Sequence, residues 1–140
     1  MGKKRIITQG GTETKQTKGR KSSKKKIDSA VLHVQATYNN TIVTLTDVKG
    51  NKAAASSSGA LGFRGAKKGT PFAAAKVGEV LSEAAKDMGV KEVAVIVKGV
   101  GSGRESAIRS FVAGGIAISS IKDVTPVAFN GPRARKPRRV

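Results

Sequence analysis

The chain has 140 residues, with 27 Lys and Arg against 9 Asp and Glu and a formal net charge of +18. So large a basic excess points to a polyanionic partner. With no cysteine, a disulfide framework and a thiolate metal site are both excluded, and no apolar run reaches the length of a membrane span. The N-terminus carries charge without an apolar segment behind it, so no secretory leader is expected and a cytoplasmic protein is.

The charge is unevenly placed. Residues 1–26 hold ten Lys or Arg and one acid, and residues 129–140 hold five and none. The stretch between them holds twelve bases and eight acids. This predicts a basic N-terminal extension over 1–26, disordered when free, a single α/β domain over 27–128, and a basic extended tail over 129–140. The run Lys24, Lys25, Lys26 abuts the domain and is a candidate for phosphate contact.

Alternation begins at Ala30. Leu32, Val34 and Ala36 share one face, and Val31, His33, Gln35 and Thr37 the other. Asn39-Asn40 interrupts the run, and Ile42, Thr44 and Thr46 then oppose Val43 and Leu45, so a hairpin is predicted. Lys49-Gly50-Asn51 marks a second turn. Lys52–Ser58 is a third, weaker strand, because alanine and serine have low strand propensity. Together these make a three-strand antiparallel meander.

The stretch from Gly59 to Met88 organises the rest. Gly59, Gly62, Gly65 and Gly69 alternate with Arg64, Lys67 and Lys68, and a helix follows. Thr70 suits its N-cap and Pro71 its first position. Val77, Val80, Leu81, Ala84, Ala85 and Met88 form the predicted apolar stripe, Phe72 fits a core position, and Gly89 is a stop. A helix start carries unpaired N–H groups and partial positive charge. With Arg64, Lys67 and Lys68 just ahead of it, the natural ligand is an anion such as a phosphate.

Val93–Val97 reads VAVIV, the pattern of a strand buried on both faces. Gly99, Gly101 and Gly103 then lead into a shorter helix with Ala107, Ile108, Phe111 and Val112 on one face. Ser102 or Gly103 lies near its cap, and Arg104 and Arg109 follow, which makes a second helix end suited to phosphate. Gly114-Gly115 close it, and Ile116–Val124 is a last strand. Strand–helix–strand spacing of this length implies a parallel, right-handed crossover. The predicted fold class is α/β: a mixed five-strand sheet, a three-strand meander followed by helix–strand–helix–strand. That order resembles ribonuclease-H-like topology.

Catalytic constellations fail one by one. In GVGSGRES the third glycine of G-x-G-x-x-G falls at Arg104, and no P-loop sequence occurs. His33 is the only histidine and has no partner for a metal. A nuclease on a ribonuclease-H-like fold, the alternative reading, needs clustered carboxylates. Here Asp28, Asp47 and Asp123 fall at strand ends, and Glu79, Glu83 and Asp87 space as one exposed helix face. No enzyme activity, cofactor, metal or small-molecule substrate is therefore expected.

The tail turns at Asn130-Gly131-Pro132 and then carries Arg133, Arg135, Lys136, Arg138 and Arg139 among prolines. Pro132 and Pro137 disfavour helix and keep it extended. Such an arm can follow a groove of irregular RNA, neutralise phosphates and stack arginines on bases.

YNNTIVTLTD, GFRGAKKGTPFAAAK, VKGVGSGRESAIR, ISSIKDVTP and FNGPRARKPRRV occur in this order. Together they closely resemble the bacterial type of the small-subunit ribosomal protein S11 family, from about Ala30 to Val140. The resemblance implies a ribonuclease-H-like fold of translational components and a structural, non-enzymatic role. It implies a partner in 16S-type ribosomal RNA at the platform, near the mRNA path, with platform proteins as neighbours. It implies RNA contacts at Asn39 and Asn40, from Arg64 through Gly65, Lys67 and Lys68 to Thr70, at Gly103 and Arg104, and along the C-terminal arm. The chain departs from the family's usual proline at Val100, and from its usual His-Asn-Gly-Cys at Phe129-Asn130-Gly131-Pro132.

Overall fold

The computed structural model describes residues 26–139. The predicted extension, with Lys24 and Lys25, lies outside them except for Lys26. Five strands and two helices follow in order: β1 (Ser29–Ala36), β2 (Thr41–Asp47), β3 (Lys52–Ser57), α1 (Pro71–Asp87), β4 (Glu92–Lys98), α2 (Gly103–Ala113) and β5 (Ala117–Asp123). A 3-10 turn, Gly65–Gly69, precedes α1. The expected mixed α/β sheet with two helices is present.

The strands lie in the order β3-β2-β1-β4-β5. β1 pairs antiparallel with β2, and β2 with β3. β4 runs parallel to β1, and β5 parallel to β4. The turn after β2 is fixed by Asp47, whose carboxylate accepts the Asn51 backbone N–H at 2.8 Å and its side-chain amide at 2.9 Å.

One face of the sheet carries the core. Ala30, Leu32 and Val34 from β1, Val43 and Leu45 from β2, and Val93, Val95 and Val97 from β4 are buried with Val77, Leu81, Ala85, Ala107 and Phe111 of the helices. Each large side chain so buried stabilises by roughly 1.5–3 kcal/mol. Both helices therefore lie on this face. They meet closely at Gly78, where an added Cβ would stand 2.5 Å from the Ala107 carbonyl oxygen.

Three sequence expectations change here. The buried stripe of α1 is Ala73, Ala74, Val77, Gly78, Leu81, Ser82 and Ala85, and Val80 is exposed. Packing against a neighbouring helix as well as the sheet selects small residues such as Gly78 and Ser82, which an apolar count overlooks. Phe72 points away from that stripe and is exposed. β4 is not covered on both faces: Val93, Val95 and Val97 are buried, while Ala94 and Ile96 are half-buried on the open face. No helix among the described residues is long and apolar enough to cross a membrane.

Candidate nucleic-acid interface

Parallel strands joined by helices place every strand C-terminus of the crossover, and every helix N-terminus, at one end of the sheet. Here β1, β3, β4 and β5 end there, and β2, α1 and α2 begin there. Three loops and the root of the C-terminal arm share that end. Asn39, Asn40, Arg64, Gly65, Lys67, Lys68, Thr70, Gly103 and Arg104 are thereby brought together, though they span sixty-odd positions of sequence.

The loops are stitched to one another. Gly101 donates its backbone N–H to the Ala36 carbonyl at 3.0 Å. The Ser102 hydroxyl donates to the Gly69 carbonyl at 3.1 Å. Gly69 lies so near the Tyr38 carbonyl that an added Cβ would stand 2.1 Å from its oxygen. Asn39 is exposed and Asn40 half-buried in the turn between β1 and β2, which closes when Thr37 N–H donates to the Asn40 carbonyl at 2.9 Å. Asn40 Oδ1 and Thr41 Oγ1 are the buried side-chain oxygens without a partner among the described residues.

The two helix starts differ. Thr70 caps α1, its hydroxyl accepting the Ala73 N–H at 3.3 Å while its carbonyl accepts Ala74 N–H at 3.2 Å. Pro71 has no N–H. Most of the leading donors of α1 are therefore already used, and the cations nearest that start are the side chains of Arg64, Lys67 and Lys68. Arg64 and Lys67 are exposed and Lys68 half-buried. In α2 the N-cap is Ser102, which makes no side-chain cap because its hydroxyl is turned to Gly69.

Arg104 is not a free cation. Its guanidinium donates to the Asp123 carboxylate at the end of β5. Asp123 also accepts the Thr125 hydroxyl at 2.6 Å and the Thr125 backbone N–H at 2.9 Å. Those Thr125 bonds first, and Arg104 after them, hold the Asp123 carboxyl down at about 2. Thr125 in turn accepts the Gly99 N–H at 3.1 Å. Gly99 takes φ +107 against Ala36, a conformation open to glycine. This clasp fixes where the arm leaves the domain, a role for Arg104 and Thr125 that spacing alone did not reveal.

Beyond the clasp the chain has no regular structure. Asn130 turns it with φ +50, and Gly131, Arg133, Arg135, Lys136, Arg138 and Arg139 are exposed. Lys26 stands apart, before β1, at the far end of a strand about 26 Å long at ~3.3 Å per residue. Asp28, Asp47, Asp87 and Glu92 also lie at that far end. Acids are thus concentrated away from the loops, where only Asp123 and Glu105 are found.

An end built of cations, exposed amides and an extended basic arm is the arrangement of a nucleic-acid-binding protein. The family model described as Ribosomal protein S11 matches residues 30–139, and the chain belongs to that family. Its members are RNA-binding proteins of the small ribosomal subunit that serve translation as structural components, not as an enzyme family.

Proposed function

We propose that this chain is a structural constituent of the small-subunit platform, where it binds 16S-type ribosomal RNA near the mRNA path, beside other platform proteins, in cytoplasmic ribosomes. There it supports subunit assembly and translation. The observation that carries this reading is the gathering of three loops and the arm root at one end, where Asp123 and Glu105 are the acids among the described residues. Lys67, Lys68 and Arg64 take phosphates. Asn39, exposed in the turn between β1 and β2, and Asn40 beside it offer amides. Thr70, Gly65 and Gly103 shape the approach, and Arg104 holds the arm root while its remaining N–H donors face the RNA. Asn130 and Gly131 turn the arm so that Arg133, Arg135, Lys136, Arg138 and Arg139 follow a groove. Lys26 supplies a separate contact from the domain's other end, to which Lys24 and Lys25, outside the described residues, add their charge. The strand order β3-β2-β1-β4-β5 supports a ribonuclease-H-like topology of the kind used by translational components.

The test uses the full chain and small-subunit RNA over a range of salt. Removing 132–140 takes away five cations, and the log–log salt slope should become shallower by up to about four units, at ~0.7–0.9 per phosphate contact. An unchanged slope refutes the arm's role. Loss of the full chain from small subunits in a mild salt wash refutes the reading as a whole.

A further inference from the structure

Phe72 occupies the second position of α1 and keeps 65% of its surface exposed. A single exposed apolar residue is ordinary; its surroundings are not. Phe63 meets it edge to face, with ring centroids 6.1 Å apart and planes at 83°. That contact braces the ring. Lys76, one turn along, places its ammonium 5.8 Å from the Phe72 centroid. Arg64 adjoins Phe63 in sequence, and Lys67 and Lys68 precede Phe72 by one turn of chain. The nearest acid in sequence, Glu79, is paired with Lys76 at 2.9 Å.

The setting selects the occupant. An apolar protein surface laid over Phe72 would strip water from these cations without pairing them. A nucleotide brings a flat π-face for the ring and a phosphate for the lysines in one unit. Bases within a duplex are already stacked on each other, so the fit is to an unpaired base in a loop or bulge. We propose that Phe72, braced by Phe63, is a stacking platform for an unpaired base of the RNA whose phosphates pair with Lys67 and Lys68. This rests on the RNA-binding reading above and adds a base contact where only phosphate contacts were assigned.

The chain has no tryptophan, so Phe72→Trp installs a single fluorophore at the platform. The probes are a hairpin RNA with an unpaired adenine loop and the same hairpin with an abasic loop. The adenine loop should quench the fluorescence along its binding curve, and the abasic loop should bind without quenching. Phe72→Leu should weaken the adenine-loop complex about five- to tenfold, the low end for one-sided stacking, with the salt slope unchanged. It should leave the abasic complex as it was, and Phe72→Tyr should restore the loss. The exposure of Phe72 predicts that all three variants melt like the parent. Binding of both hairpins without quenching, and with Phe72→Leu equal to the parent, overturns the stacking proposal and leaves the RNA-binding reading standing. Failure of the unaltered chain to bind either hairpin overturns the stacking proposal, and failure to bind small-subunit RNA as well overturns both.

Discussion

Gly69→Ala tests whether the loops meet as described. The new Cβ would stand 2.1 Å from the Tyr38 carbonyl oxygen and 2.9 Å from its carbonyl carbon. An ordinary C···O contact needs about 3.3 Å, so the loops must part by roughly 1 Å. The obstacle is backbone, and no side-chain rotation can relieve it. Overpacking of this sort costs about 1–3 kcal/mol, partly offset by ~0.4–1 kcal/mol from the reduced freedom of the unfolded chain. A net loss of about 1–2 kcal/mol lowers the melting temperature by roughly 4–8 °C. Parting the loops also breaks the Ser102 to Gly69 hydrogen bond and moves Lys67 and Lys68 off the α2 start, so RNA affinity should fall with stability. Gly59→Ala is the control, because its Cβ would meet only the Lys68 side chain, at 3.6 Å. Thermal melts by circular dichroism and RNA titration at fixed salt read both effects. If Gly69→Ala melts with the Gly59→Ala control, the close approach does not exist in solution.

Asp123 titrates in the folded chain at about 2, below its ordinary value of 3.8, so the stability it lends is present above 3.8 and lost as pH falls toward 2. Carboxyl-carbon NMR should show that midpoint, and Thr125→Val should raise it more than Arg104→Gln; the reverse order would contradict the clasp geometry. Replacing Lys67 and Lys68 together by glutamate should impair incorporation into small subunits while circular dichroism shows the fold intact, and normal incorporation would count against the loop. Asn130-Gly131 is exposed, and attack of the Gly131 nitrogen on the Asn130 side-chain carbonyl expels ammonia to give a succinimide. Storage at mildly alkaline pH should therefore yield isoaspartate by peptide mapping, and recovery of asparagine alone removes the idea.

Much of the fold was legible because periodicity reports burial directly. Leu32, Val34 and Ala36 alternate in β1 as written, and Thr70-Pro71 marked the start of α1 to the residue. Burial of small residues was not legible. Gly78 and Ser82 are core because a second helix lies against them, and sequence spacing cannot show that neighbour. For the same reason Phe72 read as core: the helix wheel gives a face only once the partners of that face are known. At the site, the residue types were readable and their association was not. Nothing local says that Gly69 meets Tyr38 or that Gly101 meets Ala36 and Thr37, and the second contact depends on β1 and β4 lying side by side. The Arg104 to Asp123 link likewise follows from β5 pairing with β4.

The electrostatics of this end run against the stability of the free chain. A helix start favours negative charge, yet neither helix is served well. The first turn of α1 has no acid, and Lys67 and Lys68 stand directly ahead of it. That of α2 has Glu105, but Arg104 sits beside it and Ser102 does not cap it. Each placement is mildly unfavourable alone, and together they set like charges against each other at the loops. An anion docking there relieves the repulsion as well as making its own bonds. On the proposed reading, part of the binding free energy is stored in the unbound fold, held in place by the Gly69 and Thr125 contacts that keep the cations from spreading apart.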